Sequence, residues 1–99
     1  MKFLIKNLKE TINTIPRKLG YRYLKEDKER NEHIMVRPLE SGGYPRFHLF
    51  LKIESDNFIF SLHLDQKRPV YKGTISHSAD YQGEIIEAEM ERIKDILKP

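Results

Sequence analysis

The chain contains no cysteine. Neither a disulfide framework nor a thiolate metal site can therefore form, and nothing points to an oxidising compartment. No uninterrupted apolar run reaches signal-peptide length, because the opening MKFLIKNLKE mixes basic with apolar residues, and no segment approaches the ~20 residues of a membrane-spanning helix. The expectation is a soluble cytoplasmic protein with no membrane partner. Internal repeats and low-complexity tracts are missing too, as is any ligand spacing of the HExxH kind. Neither sign of charge dominates: 18 Lys and Arg against 15 Asp and Glu leave a net charge of +3 with His neutral. That is a weak pull toward an anionic partner, so the placement of charge matters more than its sum.

What is present fits one small domain, residues 1–99, with 38% hydrophobic content and an adequate core. Its most informative part is a pair of alternating runs. Residues two apart on a strand share a face, so Phe47, Leu49, Leu51 and Ile53 group together, as do Phe58, Phe60, Leu62 and Leu64. A turn over Glu54-Ser55-Asp56-Asn57 would join these eight into one core face. The other face then carries Arg46, His48, Phe50 and Lys52 from the first strand, and Ile59, Ser61, His63 and Asp65 from the second. Two registers satisfy the alternation. With Ile53 opposite Phe58, His48 faces His63 and Arg46 faces Asp65; with Ser55 opposite Phe58, His48 faces Asp65. In both, the polar groups gather at the open end of the hairpin.

Upstream, Leu4, Leu8, Ile12, Ile15 and Leu19 recur at helical spacing, which predicts an amphipathic helix interrupted at Pro16 and stopped at Gly20. A short strand at Phe3-Leu4-Ile5 is the competing reading. Tyr21 to Leu24 and His33 to Arg37 read as strands, and the charged run KEDKERNE between them as a solvated turn. Downstream, Gln66 to Gly83 reads as a long loop, and loops of that length usually carry function. Ile86, Met90, Ile93 and Leu97, joined by Ile85 and Ile96, form the stripe of a closing helix. The expected fold is α+β, ordered α-β-β-β-β-α: an antiparallel sheet of about four strands, with helices on one face and a polar face left open.

Three kinds of chemistry suit that open face. His48, His63 and Asp65, completed by His77 from the loop, make a donor set for zinc, manganese or iron. Alternatively His63 acts as general base, with Asp65 or His48 orienting it and Arg46 or Lys67 stabilising an anionic transition state, as phosphodiester cleavage requires. A binding module needs only cations and aromatic rings. Arg37, Arg46, Lys52, Lys67, Arg68 and Lys72 interleave with Tyr44, Tyr71 and Tyr81, a composition that contacts phosphates and stacks bases. The leading expectation is a phosphate-containing ligand, above all nucleic acid, with metal-assisted hydrolysis as an extension. A non-catalytic interaction module, in which sheet edges mediate homo-oligomerisation, is the alternative.

Resemblances add to this reading. Asp65-Gln66-Lys67 at a strand end resembles the second half of the PD-(D/E)xK nuclease signature, although no earlier acidic partner is evident. The helix ending near Leu19-Gly20-Tyr21, followed by a strand and Glu32-His33-Ile34-Met35, resembles the HicA-type RNA interferases over the first third to half of the chain. That likeness implies a role in RNA cleavage for His33, but the Gly-Ser that typically precedes the family's histidine is absent here. The run Tyr44-Pro45-Arg46-Phe47-His48, with Leu62-His63-Leu64-Asp65-Gln66-Lys67-Arg68-Pro69 and His77-Ser78, is similar to short uncharacterised bacterial proteins with matching strings. It implies a shared domain and no mechanism.

Overall fold

A computed structural model describes residues 1–66 and 79–98, and the side chains of all of these except residues 79–82. Five strands and two helices follow one another as β1 (Lys2–Lys6), α1 (Ile15–Leu19), β2 (Arg22–Asp27), β3 (Glu32–Pro38), β4 (Arg46–Glu54), β5 (Asn57–Asp65) and α2 (Ala79–Leu97). The strands form one sheet in the order β1-β5-β4-β3-β2, with every neighbouring pair antiparallel. The class is α+β, with one strand more than expected.

The extra strand is the N-terminus. Lys2–Lys6 alternates exposed and half-buried positions, so Phe3 and Ile5 turn inward opposite Phe60 and Phe58, whereas Leu4 lies on the other side. Helical spacing over residues 4–19 therefore does not mark one helix. It arises because the chain must cross from β1 at one edge to β2 at the other, and Leu8, Ile12, Ile15 and Leu19 are the residues that it presses onto the sheet on the way. Pro16 does not break a helix but opens a short one, where its missing N–H costs nothing. Gly20 ends that helix at φ 82°, a left-handed conformation that glycine adopts without strain.

The central hairpin takes the register that places Ile53 opposite Phe58, with Glu54 opposite Asn57 and a two-residue turn of Ser55 and Asp56. Ser55 sits at φ 58°, as a tight turn between twisted strands requires of one of its residues. Phe47, Leu49, Leu51, Phe58, Phe60 and Leu62 then share a core with Met35, Tyr21, Ile93 and Leu97. Each fully buried Leu or Phe contributes about 1.5–3 kcal/mol relative to exposure. Leu8 and Ile12, which precede α1, help the helices to cover this side. The closing helix starts at Ala79, so Gly83 belongs to it rather than to the loop before it.

The opposite side is less polar than expected. Cross-strand pairing puts Ile34 and Val36 of β3 beside Phe50 and His48, and both are buried although they lie away from the helices. Leu4 and Ile59 extend this apolar strip toward β1. Arg46, His48, His63 and Asp65 gather at the end of the hairpin remote from its turn, and Lys52 lies nearer the turn.

Candidate functional site

At that end, register determines the chemistry. Arg46 is directly opposite Asp65, and His48 is directly opposite His63, hence diagonal to Asp65. The Asp65 carboxylate is within reach of both neighbours on its own face. Its Oδ2 accepts from Arg46 Nε at 3.2 Å and lies 3.1 Å from His48 Nδ1. All three side chains are roughly three-quarters buried. Each partner satisfies the others and fixes their rotamers. Tyr44 joins as a fourth residue, its ring 4.7 Å from the Arg46 guanidinium.

The arrangement leaves specific atoms available. With Nδ1–H donated to Asp65, the imidazole of His48 presents Nε2 as its basic nitrogen, and among the described residues nothing bonds it. The terminal Nη groups of Arg46 likewise have no partner among the described residues. A base and a forked cation are thus held by one carboxylate, a combination suited to an anionic oxygen ligand.

His63 is part of the same face but not of this trio. Its Nε2 lies 3.3 Å from Ser61 Oγ, so Asp65 orients His48 rather than His63. Burial, the N-terminal ammonium and His48 hold the His63 imidazole below the usual histidine range, and Asp65 only partly offsets them. The neutral form of His63 is accordingly favoured. Phe50, next along the face, touches both histidines, stacked on His48 at 4.6 Å and edge-on to His63 at 5.6 Å.

The remaining expected residues fall in three places. Lys67, Arg68, Tyr71, Lys72 and His77 lie outside the described residues, as does the side chain of Tyr81. Lys52 is on the open face, two residues beyond Phe50 toward the turn. Arg37 is not: it pairs opposite Phe47, on the helix side, and its Nη1 donates to Glu89. As for metal, among the described residues no three His, Asp or Glu side chains converge in a way that would hold an ion. The reason is visible in the hydrogen bonds, since Asp65 is taken by Arg46 and His48 while His63 turns to Ser61.

Two further clusters lie on the helix side of the sheet, and of their members only His33 and Arg37 were candidates from the sequence. Glu89 on α2, only 4% exposed, accepts from Tyr21 Oη at 2.6 Å, from Arg92 Nε at 2.8 Å and Nη2 at 2.9 Å, and from Arg37 Nη1 at 3.2 Å. Arg92 also donates to the Leu19 carbonyl at 2.7 Å, where α1 ends. Burial and the Glu89 carboxylate push the Tyr21 phenol far above its ordinary range. Only Arg92, three residues after Glu89 on the same helix, hints at such a pair; Tyr21 and Arg37 are 68 and 52 residues away. The second cluster surrounds His33, which faces the helix side and takes a 2.8 Å hydrogen bond between Nδ1 and Tyr23 Oη. With Asn13, Arg17 and Glu26 these residues line a cleft of about 460 Å³ between α1 and the β2 edge.

No protein-family model, curated protein or solved structure matches the chain.

Proposed function

We propose that this protein binds a phosphate-containing ligand, nucleic acid above others, through the sheet face that carries Arg46, His48 and His63 together with the basic residues Lys67, Arg68 and Lys72, and that it does so in the cytoplasm. The observation that carries this reading is the shared carboxylate of Asp65, which holds Arg46 and His48 at once. Arg46 suits a phosphate oxygen, and His48 is placed as an Asp-oriented imidazole able to take a proton from an attacking hydroxyl or water. Phosphodiester hydrolysis is the reaction that such a pair supports.

The test is binding of a labelled mixed-sequence oligonucleotide over a salt series, with Arg46→Ala and a Lys67→Ala/Arg68→Ala double variant. Electrostatic recognition predicts a log-log slope that becomes shallower by about one for each phosphate contact removed. Affinity that ignores both salt and these variants would refute the reading. His48→Gln should abolish hydrolysis with binding retained. The metal-assisted version needs His77 or another group from residues 67–78 beside His48, His63 and Asp65. It predicts stoichiometric zinc, manganese or iron that is lost in His63→Ala; protein that takes up no metal at micromolar concentrations removes that version alone.

A second reading rests on exposed apolar groups at the two outer strands. Leu4 on β1 and Tyr23 and Leu24 on β2 are each more than 40% exposed, so a protein partner or a second copy has apolar surface to cover there. Concentration-independent monomer mass by light scattering would count against the second copy.

A further inference from the structure

We infer that the nucleic acid bound by this face is single-stranded, and that Phe50 is the platform on which one of its bases stacks. This rests on the nucleic-acid reading above and names the form of that partner.

Phe50 occupies an unusual place for a large apolar ring. It lies on β4, the middle strand of the sheet, and on the side away from the helices. Directly opposite it on β5 is Ser61, a small residue that leaves room beside the ring, and on β3 is the buried Ile34. The ring is only partly buried. Its neighbours along the face are aromatic: His48 stacked at 4.6 Å with 24° between planes, and His63 edge-on at 84°. Partial desolvation, the N-terminal ammonium and His48 lower the His63 pKa, which disfavours a second full charge at this end of the strip and leaves it as π surface.

Cations bracket the ring on the same strand and face. Arg46 precedes Phe50 by four residues and Lys52 follows it by two, which at ~3.3 Å per residue sets their Cα atoms about 20 Å apart along the strand with Phe50 between them. A phosphodiester chain laid along β4 thus meets the Nη edge of Arg46, whose charge Asp65 partly offsets, on one side of a stacking surface and Lys52 on the other. This is the pattern of a single-strand platform, in which charge follows the backbone and aromatic rings receive bases irrespective of sequence. A duplex cannot use it, because its bases are stacked on one another and a flat sheet reaches only its phosphates.

The experiment is fluorescence anisotropy with the full chain and four labelled probes: a single-stranded RNA octamer, its DNA counterpart, the corresponding duplex, and an octamer abasic at every position. The abasic probe keeps the phosphates and removes the bases. The single strands should bind at least about tenfold more tightly than the duplex and the abasic probe. Phe50→Ala should weaken single-strand binding by about 5- to 150-fold, the range for stacking one base, and leave the abasic probe unchanged. Phe50→Tyr should restore binding, which a merely misfolded face would not allow. Equal affinity for intact and abasic strands, or preference for the duplex, overturns the stacking inference and leaves the phosphate reading standing. Failure of all four probes to bind at low salt overturns both. A preference between RNA and DNA single strands, with the Phe50 effects intact, identifies which source of bases the platform serves.

Discussion

Replacing Glu89 with alanine removes the acceptor on which Tyr21, Arg37 and Arg92 all converge, and the structure sets the size of the loss. The carboxylate is 4% exposed and accepts four bonds between 2.6 and 3.2 Å, three of them from guanidinium groups. Breaking a buried ion pair from one side costs about 3–5 kcal/mol, because the partner charge is left without compensation. Here the two arginines keep about a third of their side-chain surface in water, which relieves part of that cost. The lower end, about 3 kcal/mol, is therefore expected, and for a domain of this size it lowers Tm by about 12–24 °C. Glu89→Gln is the informative companion. Its amide oxygen still accepts from Arg92, but the amide nitrogen cannot accept from Tyr21, so the expected cost is about 1–2 kcal/mol. Urea unfolding with a common slope measures both, and a double-mutant cycle with Tyr21→Phe should return a coupling of about 1–2 kcal/mol. A loss below 1 kcal/mol for Glu89→Ala would refute the view that this network locks α2 to α1 and the sheet.

The same network gives the protein an alkaline limit. The folded-state pKa of Tyr21 is raised, so folding favours the protonated phenol, and the stabilisation is complete below the unfolded value near 10. Above that pH the unfolded chain releases a proton that the folded chain retains. Stability then falls by about 1.4 kcal/mol per pH unit, a slope that Tyr21→Phe should reduce.

Other outcomes follow from single positions. The His63 pKa is lowered in the fold, so protonation favours the unfolded chain, and the contribution of His63 is lost as pH falls from about 6.5 through the folded value. An NMR titration of the His63 ring should show a midpoint below that of a free imidazole, and a midpoint above 6.5 would contradict the environment described. Gly20→Ala meets no atom within 4 Å of the added carbon, so its whole cost comes from φ 82°. About 1–2 kcal/mol is expected from urea unfolding, and an unchanged midpoint would mean that the turn is not held in that conformation.

Much of the fold was legible because every inward position of β4 and β5 from Phe47 to Leu64 is apolar, and a period of two on paired strands fixes both faces. The closing helix was legible for the corresponding reason at a period of 3.6, with Ile93 and Leu97 now in the core. The N-terminal strand was legible only as the competing reading of Phe3-Leu4-Ile5. Five residues with two inward apolar positions carry little information, and the crossing segment that follows imitates a helix because it also presents one side to a sheet. The Glu89 network was hidden for a different reason: buried polar partners far apart in sequence are brought together by packing, and no local spacing records them. The candidate site lies between these cases. Which residues share the face was readable; that Asp65 would engage His48 and leave His63 to Ser61 required rotamers.

Register is where core and site part company. Sliding β5 by two residues against β4 would return every apolar residue to the same face, so the core pattern alone accepts both pairings. The site does not. In the observed pairing Asp65 lies directly across from Arg46 and diagonally from His48, and His48 faces His63; in the slipped pairing Asp65 would face His48 with Arg46 only diagonal, and His63 would move from opposite His48 to opposite Phe50. The choice is made by the two-residue turn at Ser55-Asp56 and by β1, whose Ile5 and Phe3 pair with Phe58 and Phe60 and whose end is tied by Asn7 N–H to the Asp56 carbonyl at 2.9 Å. The N-terminal strand, the element least evident in the sequence, is therefore one of the features that hold the carboxylate where both a cation and an imidazole can use it.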